Sequence, residues 1–448
     1  MQTSPLHAWI AAELGQSVKG DLDLESLRWL QLQRLNGTIA HASANSPFYR
    51  EHLRHRKNRA LASLSELADL PFTTADDLRR QGLQMLSVSQ GNIDRVVTLE
   101  SSGTTGNAKR LYFTREDLAR TQSFFRCGMS QVVRPGHVAL VLLPGELPAS
   151  AGDLLARALE PMGVTCRVAG LVTDPGRCAA LLAEEPFDCV VGIPVQVLSV
   201  LRHPLAAAIA ADRIKSVFLT SDYVPSTLVT EISQRWGCPA FNHYGMTEMG
   251  LTGGVECLAL SGYHLRELDL YFEVVDPASG QLLPEGEPGE VVVSTLTRTG
   301  MPLIRYRTDD LARFLPEPCS CGSNLPRLAK LQGRSSKQVA LGAGLKMGMP
   351  ELDEALFLIT GLINFRAVLT EEAGMNHLAL AVETVAGREQ ETLVEIDRRL
   401  PAIGPIRRAL KAETLRLSPT ALCDTPLPVS ATIKRNIEHL KELTPCEP

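Results

Sequence analysis

The 448-residue sequence predicts an α/β fold: a large N-terminal domain of parallel sheets flanked by helices, a small β-subdomain, and a small α+β C-terminal domain. Three observations carry this prediction. Between residues 91 and 240, short apolar runs alternate with helical segments, and such alternation makes a parallel sheet covered on both faces. Between 250 and 333, two strand-like runs flank a turn-rich loop. After Gly333-Arg334 a helix, two strands, a second helix and a further strand follow, enough for a domain of about 110 residues.

The totals exclude several classes. A hydrophobic content of 44% and a charged content of 21% are those of a globular chain. A net charge of −5, with no dense basic tract, argues against nucleic acid as a partner. No apolar run reaches the roughly 18 residues of a membrane span. The first residues, with Trp9 and Glu13, lack the basic-then-apolar layout of a signal peptide, so a cytoplasmic protein is expected. Ten cysteines, scattered apart from one close pair, suit reduced thiols better than a disulfide framework.

In chain order, residues 1–90 read as helical, with a helix over Leu24–Ala42, a break at Asn45-Ser46-Pro47, and a capped helix near Thr73–Leu78. Strands follow at Asp94–Leu99 and Leu111–Phe113, and Thr114 is an N-cap for a helix from Arg115. Strands at Val138–Leu143, Thr165–Val168, Cys189–Gly192, Ser216–Thr220 and Ala240–Tyr244 alternate with helices at Ala151–Glu160, Arg177–Glu185, Leu198–Ala211 (broken at Pro204) and Pro225–Trp236. Tyr271–Pro277 and Gly289–Ser294 read as antiparallel strands. The last part carries a helix at Pro350–Phe357, strands near Arg366–Leu369 and His377–Val382, a helix near Arg388–Leu400, and a strand near Thr414–Leu417. The predicted organisation is a helical region at 1–90, a large domain at 91–334 that includes the β-subdomain 250–333, and a small domain at 335–448.

Three segments carry candidate chemistry. Ser101-Ser102-Gly103-Thr104-Thr105-Gly106-Asn107-Ala108-Lys109 lies between two strands. Its glycines permit close backbone approach, its hydroxyls and N–H groups donate, and Lys109 adds a cation; the matching guest is a phosphate. His243-Tyr244-Gly245-Met246-Thr247-Glu248 follows a strand, with a ring to stack on a base and a hydroxyl beside a carboxylate. Ile304-Arg305-Tyr306-Arg307-Thr308-Asp309-Asp310 ends on carboxylates able to accept ribose hydroxyls, though a surface turn would explain it equally.

Taken in order, these segments resemble the adenylate-forming (AMP-binding) enzymes, and among them the phenylacetate–coenzyme A ligase-like branch. The loop at 101–109 looks like the family's phosphate loop, Tyr244–Glu248 like its Tyr-Gly-x-Thr-Glu motif, and Tyr306–Asp310 like its Tyr-Arg-Thr-x-Asp motif. Gly333-Arg334 looks like the pair before the domain hinge; Asn45–Tyr49 and Met301–Tyr306 are similar to this branch in particular. The resemblance implies a ligase that activates a carboxylic acid, aryl or arylacetic, with ATP and Mg²⁺, then passes the acyl group to coenzyme A and releases AMP. It implies that Ser101, Ser102, Gly103, Thr104, Thr105, Gly106 and Lys109 hold the β- and γ-phosphates, Thr247 the α-phosphate, and Glu248 the Mg²⁺. Asp310 would hold the ribose with support from Arg334, while Ser221, Asp222, Tyr223, Tyr244, Gly245 and Met246 would border the nucleotide.

The sequence departs from the family at two places. Ser336 stands where an aspartate is usual, and Thr432 where a lysine reaches the reacting carboxylate; Lys434, two residues on, is the first candidate replacement, with Lys337 and Lys346 as the others. The alternatives are therefore an adenylate-binding protein with lost or altered activity, and a carrier-protein thiol as acceptor. Cys257, His264, Cys319 and Cys321 resemble a cluster found in part of the branch, which implies a structural Zn²⁺; independent reduced cysteines are the other reading. The branch is also compatible with a homodimer.

Overall fold

The computed structural model describes residues 3–56, 59–99, 108–372, 374–430 and 432–441. Two compact units emerge. The first joins Met1–Gly170, Cys189–Val191 and Phe241–Leu331; the second joins Leu171–Asp188, Gly192–Ala240 and Gln332–Pro448. Among the described residues no helix is long and apolar enough to cross a membrane.

In the first unit, Val138–Leu142 pairs in parallel with Thr165–Val168, in the expected α/β manner. The expected strands at Thr165–Val168, Cys189–Gly192 and Ala240–Tyr244 form at those bounds. The sheet is mixed, however. Gly254–Glu256 runs antiparallel to the strand ending at Tyr244, and Tyr263–Leu265, Arg327–Leu328 and Phe314–Leu315 extend the antiparallel run. These strands are two or three residues long, too short for a period-2 pattern to show in the sequence. The β-subdomain is a separate antiparallel sheet of Leu270–Val275, Gly289–Thr295 and Tyr306–Ala312. Thr114 caps the helix Arg115–Met129 as expected, through a capping box with Asp117.

The helical region at 1–90 is hydrogen-bonded to the segment around Ile304. Tyr49, wholly buried, sits in the Asn45–Tyr49 segment. Thr73 Oγ1 donates to Ile304 O at 2.7 Å, so in its 3.1 Å contact with Tyr49 the phenol must be the donor. The Ile304 N–H in turn donates to the Tyr49 oxygen at 3.0 Å. Thr73 N–H and C=O bond Arg305 O and Arg307 N, each at 3.0 Å. Arg305 takes a left-handed φ of 49°, pairs with Glu273 at 3.0 Å, and donates to the carbonyls of Ala68 and Leu70 at 2.6 and 2.8 Å. The two segments that resemble the branch most closely, 45–49 and 301–306, are thus bolted to each other.

In the second unit, the helix expected at Leu198–Ala211 instead runs Pro194–Arg202, because Pro194 suits the first turn, and a 3₁₀ segment follows at Pro204–Ala208. The last part forms a five-stranded sheet built on the hairpin of Leu362–Glu372 and Met375–Thr384, with Leu415–Leu417 and Glu438–Lys441 as parallel outer strands. The helix Gly404–Lys411 was not expected; eight residues opening on Gly-Pro give too few turns for a legible period. Arg202, buried, bonds Glu231 at 2.7 Å and the carbonyls of Phe357 and Ile359 at 2.6 and 2.8 Å. That guanidinium ties residues 192–240 to the C-terminal sheet within one compact unit.

Two expectations follow. Tyr49→Phe leaves the buried Ile304 N–H without its acceptor, a loss of about 1–3 kcal/mol; an unchanged denaturant midpoint would remove the bolt from the account. His243 is buried beside Phe125, ring centroids 6.2 Å apart, and burial holds its pKa down at about 3 against an ordinary 6.5. The unfolded chain therefore binds a proton below pH 6.5 that the folded chain refuses until about 3. Stability is full above pH 6.5 and declines as pH falls toward 3, by up to about 1.4 kcal/mol per pH unit from this group. Denaturation at pH 5 and 7.5 should show a smaller difference in His243→Asn than in the parent; equal differences would exonerate His243.

Candidate active site

The phosphate-loop residues Ser101, Ser102, Gly103, Thr104, Thr105 and Gly106 lie outside the described residues. Lys109, which ends that loop, opens the strand Lys109–Phe113, hydrogen-bonded antiparallel to Arg95–Leu99 with Lys109 opposite Leu99.

The segment after Tyr244 is a tight bend. Tyr244 O accepts from Gly253 N, and Met246 O from Met249 N and Leu251 N. Thr247–Met249 is a single 3₁₀ turn closed by Gly250 in the left-handed region, at φ 72°. Gly245 is obligatory: a Cβ there would stand 2.0 Å from Leu251 O. The turn buries Glu248, which is 1% exposed, and leaves Thr247 half-buried.

A buried carboxylate requires partners. Glu248 Oε1 receives Lys109 Nζ at 2.5 Å and Tyr306 OH at 3.0 Å. Tyr306 opens the strand Tyr306–Ala312, whose burial alternates residue by residue. Tyr306, Thr308 and Asp310 are its inward residues, across an irregularity where the pairing with Gly289–Thr295 shifts register between Glu290 and Val292 and Asp309 takes a left-handed φ of 68°. Farther along that face, Asp310 Oδ2 accepts from Tyr244 OH at 3.2 Å, and Asp310 N donates to Thr308 Oγ1 at 3.1 Å. Thr308 Oγ1 donates to Val291 O at 2.6 Å. The Tyr-x-Thr-x-Asp spacing is therefore one strand face, facing Glu248 at one end and Tyr244 at the other. Tyr306 was not among the expected site residues; its place four positions before Asp310, in phase on a strand, was the available signal.

The second unit holds Ser221, Asp222, Tyr223, Arg334 and Lys434. Ser221 has a left-handed φ of 74°. Asp222 accepts from Tyr223 N at 2.8 Å and from Arg435 N at 3.4 Å. Tyr223 OH donates to Glu354 at 2.8 Å, and burial followed by that carboxylate pushes its pKa well up. Arg435 pairs with the buried Asp353 at 2.7 Å and lies over the rings of Phe357 and Phe365, at 5.1 and 4.6 Å. Thr432 is exposed on a turn made by Ser430 Oγ, whereas Lys434, beside the anchored Arg435, is half-buried. Arg334 precedes the one-turn helix Ser335–Lys337.

Cys257, His264, Cys319 and Cys321 converge in the first unit. All four are buried, and their ligand atoms lie within 4.8 Å of one another. Cys257 Sγ is 3.6 Å from Cys319 Sγ, and Cys321 Sγ is 3.6 Å from His264 Nε2. A tetrahedral zinc–thiolate set with 2.3 Å bonds has edges of about 3.7 Å, so the donor set fits zinc. Burial would raise the Cys321 thiol, but His264 and the backbone N–H groups of Ser323 and Ser4 outweigh it and hold the pKa down at about 6. The N-terminal segment thus reaches the cluster, a contribution with no signature in the sequence. Among the described residues no disulfide joins any of the nine cysteines.

Residues 51–298 match the family described as AMP-binding enzyme. The chain is 30% identical over 346 residues to a phenylacetate-coenzyme A ligase of Aromatoleum evansii, covering 74% of this chain and 76% of that one. It is 27% identical over 411 residues to the phenylacetate-coenzyme A ligase of Escherichia coli (strain K12), covering 87% and 89%. In fold it is similar to a crystal structure of 2-hydroxyisobutyryl-CoA ligase in the postadenylation state with 2-HIB-AMP, at a TM-score of 0.76 and 20% identity over 92% of this chain and 89% of that one. The chain belongs to the AMP-binding enzyme family, in its phenylacetate–coenzyme A ligase-like branch.

Proposed function

We propose that this protein is an AMP-forming acid–thiol ligase that activates an aromatic or arylacetic acid and passes it to coenzyme A. The observation that carries the proposal is the single strand face on which Tyr306 meets Glu248 and Asp310 meets Tyr244, with Lys109 on the same carboxylate. Three motifs far apart in sequence converge there. The acid class rests on the relatives named as phenylacetate-coenzyme A ligases.

In the first half-reaction an oxygen of the substrate carboxylate attacks the α-phosphorus of ATP. A P–O bond forms, the bond to the β-phosphate oxygen breaks, and pyrophosphate leaves. Lys109 and the loop 101–106 would hold the β- and γ-phosphates, and the hydroxyl of the half-buried Thr247 would contact the α-phosphate. Asp310 accepts the ribose hydroxyls and Tyr244 borders the adenine; by the family resemblance, Arg334 and Ser221–Tyr223 of the second unit are nucleotide-binding residues as well. Mg²⁺, arriving with the nucleotide and held at Glu248, would spread phosphate charge. In the second half-reaction the thiol loses its proton to solvent, its sulfur attacks the acyl carbon, the acyl–oxygen bond to AMP breaks, and AMP leaves.

Lys434 takes the part of the lysine missing at Thr432, and residues 335–448 act as a small domain whose lid-type motion between the half-reactions opens the Arg202 contacts to Phe357 and Ile359. The three thiols and the imidazole hold a structural zinc, which suits their burial and their closed donor set. Among the described residues the thiols form no disulfide, which suits a reducing compartment such as the cytoplasm.

Pyrophosphate release driven by ATP and an aryl acid should fall by about two to three orders of magnitude in Glu248→Ala. It should be lost in Lys434→Ala and little changed in Thr432→Lys. An active Lys434→Ala, or activity indifferent to Glu248, would refute these roles. Metal analysis should find one zinc per chain, lost in Cys319→Ser together with thermal stability; purified parent protein without zinc would exclude the site.

A further inference from the structure

Glu248 is held from two sides, and only its carboxylate side belongs to the motifs. Its backbone carbonyl accepts from Arg298 Nη1 at 2.8 Å. The carbonyls of Met246 and Thr247 are used within the turn itself, so Arg298 completes the turn from outside. Arg298 is 7% exposed and its guanidinium packs closely: a Cβ at Gly250 would come within 3.2 Å of Arg298 Nη2. Its other face lies over the ring of Phe113, 4.8 Å from the centroid. Phe113 is in the strand that begins at Lys109.

One rigid, planar group therefore touches both the strand that carries Lys109 and the turn that carries Glu248. The surroundings fix the group in turn. Asp117 accepts from Thr114 N at 2.9 Å and from Thr299 N at 3.4 Å, holding the residue after Phe113 and the residue after Arg298 to one carboxylate. Thr121 Oγ1 donates to Gly250 O at 2.9 Å and pins the end of the turn.

We propose that Arg298 is a positioning residue for adenylation: it sets the spacing between the Lys109 strand and the Glu248 turn, and through it the Mg²⁺–nucleotide geometry. The inference rests on the nucleotide-site reading above. Lysine keeps the charge but loses the planar fork, which cannot then both stack on Phe113 and reach the Glu248 carbonyl.

The test is calorimetric titration of the full chain with ATP across a Mg²⁺ series, without acid, for the parent, Arg298→Lys and Phe113→Leu, each checked by thermal denaturation. The Mg²⁺ concentration for half-maximal nucleotide binding should rise about tenfold in Arg298→Lys, and in the same direction by a smaller factor in Phe113→Leu. A purely structural role would lower the melting temperature and leave that Mg²⁺ midpoint in place. An Arg298→Lys midpoint within about twofold of a binding-competent parent overturns the inference alone. If Arg298→Lys does not fold, Phe113→Leu decides: a raised midpoint supports the inference and the parental midpoint overturns it. A parent that binds no ATP at any Mg²⁺ concentration overturns the nucleotide-site reading, and this inference with it.

Discussion

A carboxylate that is 1% exposed cannot stand alone, and Glu248 is the group around which the first unit's site is arranged. Removing water from one negative charge forces a cation and a hydrogen-bond donor to the same oxygen. Lys109 and Tyr306 fill those roles at 2.5 and 3.0 Å. Each comes from a different part of the chain, so one desolvated group sets the relative placement of the phosphate-loop strand, the post-strand turn and the third strand of the β-subdomain. The same strand reaches Tyr244 through Asp310.

The scaffold behind this face is polar as well as apolar. Arg305 is 2% exposed, in a left-handed conformation, with Glu273 and two carbonyls as partners. Tyr49 and Thr73 take up the backbone polar groups of Ile304, Arg305 and Arg307. Tyr306 is therefore delivered to Glu248 by a backbone whose polar groups are satisfied from the helical region. That gives a physical reason for Asn45–Tyr49 and Met301–Tyr306 to occur together in one sequence.

Much of this is legible in the amino-acid sequence. Strand–helix alternation predicts the large α/β domain, Thr114 announces its capping box, and the order of the motifs leads to the family. Several features are hidden for definable reasons. Two- and three-residue strands such as Arg327–Leu328 carry no period. Pro194 shifts a helix start that apolar spacing alone puts four residues later. The roles of Arg298 and Arg305 depend on carbonyls remote in sequence, which no local pattern encodes. Cys257, His264, Cys319 and Cys321 are recognisable as a set from the sequence, but the approach of Ser4 to the cluster is purely tertiary.

The most direct test is product analysis by mass spectrometry after incubation of the purified protein with ATP, Mg²⁺, coenzyme A and a panel of aromatic and arylacetic acids. For at least one acid, AMP, pyrophosphate and the acyl–coenzyme A thioester should appear in equal amounts. ADP and phosphate as products, or nucleotide turnover independent of any acid, would contradict the account.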